Sequence, residues 1–131
     1  MGPYTVALFG EAEKGEYHTA YYCNNLEQLA DNFGNAPLHS MGLYYAIQAV
    51  LYHRDILFFR VREEGFSIQD YYYGVKLLET QRSFPNISAI CMPGVGNSKI
   101  IEAAAPLCAV HHSLLIISEA DLYDYLTLRA A

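Results

Sequence analysis

Three short apolar runs, each followed by a stretch with helical periodicity, constrain this chain more than any other feature. They are Ile56-Leu57-Phe58-Phe59, Ile87-Ser88-Ala89-Ile90-Cys91-Met92 and Ser113-Leu114-Leu115-Ile116-Ile117. A strand with one wet face alternates apolar and polar residues, whereas a nearly continuous apolar run marks a strand covered on both faces. Thr5-Val6-Ala7-Leu8-Phe9, closed by Gly10, is a fourth run of this kind.

Helical signals fill the intervals. Asn25 and Gln28 have capping-box spacing ahead of Leu26, Leu29, Ala30 and Phe33, and Gly34 is a natural stop. Ser40 is placed to cap a second helix with Leu43, Ile47, Val50 and Leu51 on its apolar face. Ser67 and Asp70 form a capping pair for a third, with Ile68, Tyr71, Val75 and Leu78 facing the core and Gly74 marking a close contact. Ser83-Phe84-Pro85-Asn86 reads as a turn. A fourth helix starts near Lys99, is expected to kink or split at Pro106, and ends at His111-His112. Ser118 and Asp121 cap the last, from Glu119 to Leu128. His18-Thr19-Ala20-Tyr21-Tyr22-Cys23 is a more polar strand, suited to an edge and able to run antiparallel.

The order is thus β β α α β α β α β α, with no internal repeat. Strands alternating with helices, joined by right-handed crossovers, predict an α/β domain of three layers. The expected sheet is mostly parallel and five-stranded, with residues 18–23 as the one edge strand of opposite sense. A chain of 131 residues fits a single domain spanning 1–131. The arrangement resembles Rossmann-like nucleotide-binding domains in general, and departs from their fingerprint at its glycine loop. A full dinucleotide motif requires G-x-G-x-x-G, and position 99 is Lys.

Charge narrows the partners. A formal net charge of −6 argues against nucleic acid, because phosphate backbones demand concentrated Lys and Arg. The nearest approach to a basic cluster is Arg60 with Arg62, and Glu63 and Glu64 follow at once. An anionic membrane surface is disfavoured on the same ground, and no apolar stretch is long enough to cross a bilayer. Cys23, Cys91 and Cys108 are odd in number and widely spaced, which fits neither a disulfide framework nor a zinc site. No metal site is predicted and no cofactor is implied. With no targeting signal visible at the start of the chain, a cytoplasmic location is the expectation. An apolar fraction of 53% predicts a homo-oligomer.

In open parallel sheets ligands sit beyond the carboxyl ends of the strands. Four loops are expected there: Gly10 to Glu16, Glu63 to Ser67, Pro93 to Ser98, and Ser118 to Asp121. Gly94-x-Gly96, with Asn97, Ser98 and Lys99 opening a helix, suits an anion, because glycines let backbone N–H groups approach and a helix N-terminus is electropositive. Gly10 and Glu13 would complete the lining. Glu63, Glu64 and Glu11 are the candidate catalytic carboxylates, since such groups serve as general acid, base, nucleophile or magnesium ligand. His18 reads as a surface residue, and nothing in the spacing favours pairing it with Cys23. Twelve tyrosines fall in clusters whose adjacent members cannot all face one core, so some rings must lie at the surface. Two functions follow: a domain binding a phosphate- or nucleotide-like anion, with carboxylate chemistry if it is an enzyme, or a non-enzymatic interaction protein using exposed tyrosines.

Overall fold

The structure is a computed structural model that describes residues 4–80 and 86–127. Its elements follow the expected order: β1 (Thr5–Gly10), β2 (Ala20–Cys23), α1 (Leu26–Phe33), α2 (Gly42–Leu51), β3 (Asp55–Arg60), α3 (Ile68–Thr80), β4 (Ile87–Cys91), α4 (Ser98–His111), β5 (Leu114–Ile116) and α5 (Glu119–Thr127). Residues 83–85 of the turn expected at 83–86, and the end of the last helix at Leu128, lie outside the described residues.

The five strands form one sheet in the order β2-β3-β1-β4-β5. β1 lies between β3 and β4 and runs parallel to both, with Val6 opposite Ile56 and Ala89. β5 extends the parallel set, and β2 alone pairs antiparallel, against β3. β2 is shorter than the sequence suggests. His18 has a positive φ of 58° and breaks the extended run, so only Ala20–Cys23 pairs.

Side-chain alternation divides the interior in two. Val6, Leu8, Ile56 and Phe58 point to one face, where α1, α2 and α5 cover them. Ala7, Phe9, Leu57 and Phe59 point to the other, under α3 and α4. Every residue of β1 from Thr5 to Phe9 is fully buried, which is why that run carries no polar alternation. The result is a three-layer α/β domain of Rossmann-like architecture.

Four local expectations change. α2 does not lay Ile47 and Leu51 on the sheet; both are exposed, and Leu43, Tyr45, Ala46 and Ala49 face inward. Small residues at 42, 46 and 49 let this helix approach the strands closely, and that rotation turns the larger aliphatics outward. Ser40 does not cap α2, because its hydroxyl donates to the Pro37 carbonyl. The Ser67 hydroxyl bonds the Glu63 main chain, and the Asp70 carboxylate, though still within the influence of Ser67, turns toward Arg62 and His18. α4 is not split at Pro106; the ring lies on the exposed side, where water can satisfy the carbonyl it leaves unpaired. Gly74 behaves as expected. A Cβ there would lie 2.3 Å from the Phe9 ring, which stacks between Phe59 and Tyr71 at 4.7 and 5.4 Å.

Candidate functional site

The chain leaves β1 toward α1 and α2 on one face, and leaves β4 toward α4 on the other. The carboxyl ends of β1 and β4 therefore flank the crevice where doubly wound sheets hold ligands. In this crevice Gly10 meets the first residue of α2: a Cβ on either Gly10 or Gly42 would fall 2.6 Å from the other's Cα. Glycine at position 10 is thus a requirement of helix–strand packing.

Close approach leaves the N-terminus of α2 without a local cap. Glu64 supplies one from the β3–α3 loop. Its Oε1 accepts the Met41 N–H at 2.8 Å, and its Oε2 accepts the N–H groups of Gly42 at 2.9 Å and Glu11 at 2.8 Å. Glu11 answers through Oε2, which accepts the Glu64 N–H at 2.8 Å. A carboxylate of the chain itself therefore occupies the anion position that a helix N-terminus offers.

Beyond Glu64 the loop arches over the end of β1 to reach β4. Gly65, with φ +87°, passes so near the β4–α4 loop that a Cβ would lie 2.5 Å from the Gly94 carbonyl oxygen. The Tyr71 hydroxyl accepts the Gly65 N–H at 2.7 Å and fixes the arch. Three of the four loops expected at this edge are thus in contact. The fourth, at 118–121, follows β5, which β4 separates from β1.

The other proposed ligand residues sit as follows. Gly94 has φ +78°, which explains its identity. Gly96 does not have a positive φ, and a Cβ there would meet nothing within 4 Å. Asn97 caps α4 by accepting the Lys99 N–H at 2.8 Å, and Ser98 and Lys99 stand at the start of that helix, Lys99 exposed. Glu13 turns away to the end of α1, where it accepts the Asn35 N–H at 3.0 Å. Glu63 is exposed beside the arch.

A second polar cluster lies at the same edge, outward of β3, and its centre escaped the sequence reading. The Asp70 side chain is 2% exposed. Its Oδ2 accepts the Arg62 N–H at 2.8 Å, and its Oδ1 takes the Arg62 guanidinium at 2.5 Å and His18 Nε2 at 2.9 Å. Burial by itself would raise this carboxyl. The Arg62 backbone N–H, His18, the Arg62 charge and Ser67 outweigh it, and hold the group below the ordinary carboxylate range. His18 stacks on Tyr73 at 4.4 Å. Arg60 and Arg62 both lie against the Tyr17 ring, at 4.3 and 4.2 Å. Arg60 also donates to the carbonyls of Gly15 and Ala12, so it holds the first loop in place. The sequence signal for this cluster was Asp70 itself, an acid adjoining the core-facing Tyr71 on α3.

Cys23 and Cys91 are buried, and Cys108 is half-buried. Burial raises all three thiols, which disfavours the reactive thiolate. Cys23 accepts a weak bond from Asn32, while His18 is committed to Asp70. Among the described residues no group of three or more His, Cys, Asp or Glu is arranged to hold a metal ion, and no helix is long and apolar enough to cross a membrane. No protein-family model, curated protein or solved structure matches this chain. The tyrosine clusters divide between inside and outside: Tyr45, Tyr71 and Tyr125 are buried, whereas Tyr22, Tyr44, Tyr73 and Tyr123 are exposed.

Proposed function

We propose that this protein binds a small phosphate- or nucleotide-like anion at the carboxyl edge of its sheet, with the anionic group over Gly94–Lys99. The carrying observation is Gly96. Neither backbone conformation nor packing calls for glycine at that position, and close approach of a ligand to the main chain does. It stands two residues before the electropositive start of α4, which carries Lys99, in the loop whose Gly94 touches the β3–α3 arch. The anion position at α2 is already filled by Glu64, whereas the start of α4 carries the neutral side-chain cap of Asn97. Carboxylate chemistry, if the ligand is a substrate, falls to Glu63 and to the remaining oxygen of Glu11. Cleavage of a nucleoside-type bond or metal-assisted hydrolysis is chemistry that such carboxylates carry.

The test is thermal unfolding against nucleotides, sugar phosphates and inorganic phosphate, with and without magnesium. A ligand at a hundred times its dissociation constant stabilises by about 2.7 kcal/mol, a shift of several degrees for a domain this size. Lys99→Glu and Gly96→Val should each remove the shift, and Gly96→Val should do so with little cost to the fold, because its side chain enters open space. A flat panel at saturating concentrations, or a shift that survives both variants, overturns the reading.

A second reading, as an interaction or assembly protein and a homo-oligomer, is favoured by the apolar surface of α2. Tyr44, Ile47 and Leu51 recur at helical spacing on its outer side and are 46, 41 and 60% exposed. Aliphatic stripes of this kind are usually covered. A monodisperse monomer at high concentration that also captures no protein partner would count against this reading.

A further inference from the structure

We propose that Phe66 is a base-stacking platform beside the anion loop, so that the ligand of this edge is a nucleoside phosphate rather than bare phosphate or a sugar phosphate. The inference rests on the anion reading above and names its ligand class.

Phe66 is the exception among its kind. Phe9, Phe33, Phe58 and Phe59 are 0–3% exposed, whereas Phe66 is 68% exposed and belongs to neither half of the core. Its main chain is nonetheless held firmly. The Phe66 and Ser67 N–H groups both donate to the Glu63 carbonyl, at 3.0 and 3.1 Å. The Ser67 hydroxyl bonds both main-chain groups of Glu63, and Tyr71 fixes the Gly65 N–H. Phenylalanine contributes nothing to such a turn, where glycine and short polar residues serve. An aromatic ring shown to water on a fixed main chain is preorganised for a flat partner, because little further order is lost when one binds.

The fold sets this residue beside the anion loop. α3 and α4 cover the same face of the sheet and pack against each other. Phe66 lies two residues before the first residue of α3, and Gly96 two residues before the first of α4. Both positions stand at the carboxyl edge, at the starts of neighbouring helices, whose axes are about 8–10 Å apart in such packing. The close approach of Gly65 to the Gly94 carbonyl ties the two loops together. A nucleoside monophosphate separates base from phosphate by a comparable span, so one molecule reaches from the Phe66 ring to Lys99 and the N–H groups at the start of α4. A sugar phosphate fills the anion loop and leaves the ring bare. Every nucleobase has a π-face, so the platform selects for a base without selecting which.

The experiment is titration calorimetry on the full chain with the four common ribonucleoside monophosphates, ribose phosphate and inorganic phosphate. At least one nucleotide should bind roughly ten-fold or more tightly than ribose phosphate, the worth of one stacked base. Phe66→Ala should keep the wild-type circular dichroism, because the side chain belongs to neither half of the core. It should bring the nucleotides down to the affinity of ribose phosphate and leave ribose phosphate itself unchanged. The chain has no tryptophan, so Phe66→Trp introduces a single indole, whose fluorescence should be quenched by nucleotides and not by ribose phosphate. Nucleotides that bind no tighter than ribose phosphate overturn the inference and leave the anion reading in place. A nucleotide preference that survives Phe66→Ala, or a bound nucleotide that leaves the indole unquenched, overturns it in the same way. Failure of every compound to bind overturns the anion reading and the inference with it.

Discussion

At the scale of single residues, Asp70 and Gly74 show neighbours reversing what a residue type suggests. Asp70 looks like a helix-capping acid, yet it is buried and ties His18 and Arg62 to α3. Its carboxyl is held below its unfolded value, so the stabilisation is present in full above about pH 4 and is lost as pH falls through the lower, folded-state value. Asp70→Asn should lower stability by about 2 kcal/mol at neutral pH, the worth of hydrogen bonds to a charged group. It should also flatten the dependence of stability on pH below 4. Urea unfolding at intervals between pH 3 and pH 6 would show both, and parallel curves for the two proteins would refute the role given to Asp70. Gly74 lies mid-helix, where alanine normally gains up to about 1 kcal/mol. Here the new methyl would strike the Phe9 ring, which its two stacked partners hold in place. Gly74→Ala should therefore destabilise, by about 1–3 kcal/mol, with denaturant midpoints as the measure.

At the scale of elements, α2 depends on a residue from another part of the chain. Its N-terminal N–H groups are satisfied by Glu64, which also binds Glu11 at the end of β1. One carboxylate thus joins a strand end, a helix start and the β3–α3 arch. Both of its oxygens accept, so an amide cannot replace it: the NH2 of glutamine would face a donor. Glu64→Gln should cost nearly as much stability as Glu64→Ala, about 2 kcal/mol or more by comparison with ordinary cap deletions. A glutamine variant with wild-type stability would show that the carboxylate is not needed as a cap and would return Glu64 to the catalytic candidates. Glu63 and Glu11, less heavily engaged, are the acids to replace when an activity is sought.

At the scale of the whole molecule, the proposed ligand edge and the exposed apolar side of α2 are separate. The proposed ligand edge lies over the carboxyl ends of β1 and β4, and the apolar surface that favours the assembly reading, Tyr44, Ile47 and Leu51, lies on the outer side of α2. Dimer formation linked to folding makes the thermal midpoint rise with protein concentration. Leu51→Glu should abolish that dependence and leave any ligand-induced shift in place, whereas Lys99→Glu should do the reverse. Scans over a concentration series, with and without ligand, separate the two properties in one set of measurements.

Local patterning determined much of this protein. Continuous apolar runs such as Thr5–Phe9 specified strands covered on both faces, because no wet face is compatible with them. The positions of helices, the suitability of the polar strand near Ala20 for an edge and the expectation that four loops gather at one end of the sheet followed from the order of elements, whereas the contact of the first loop with the β3–α3 arch, and of the arch with the β4–α4 loop, did not. Tertiary structure alone decided which face of α2 turns inward. Hydrophobicity favoured Ile47 and Leu51, and the close approach of Gly42 to Gly10 favoured Ala46 and Ala49. It alone joined Glu64 to Met41 and His18 to Asp70, contacts across 23 and 52 residues of chain. Periodicity records how a residue relates to its own helix or strand. Which distant donor a carboxylate meets depends on strand order and register, and those are set by the packing of the whole sheet.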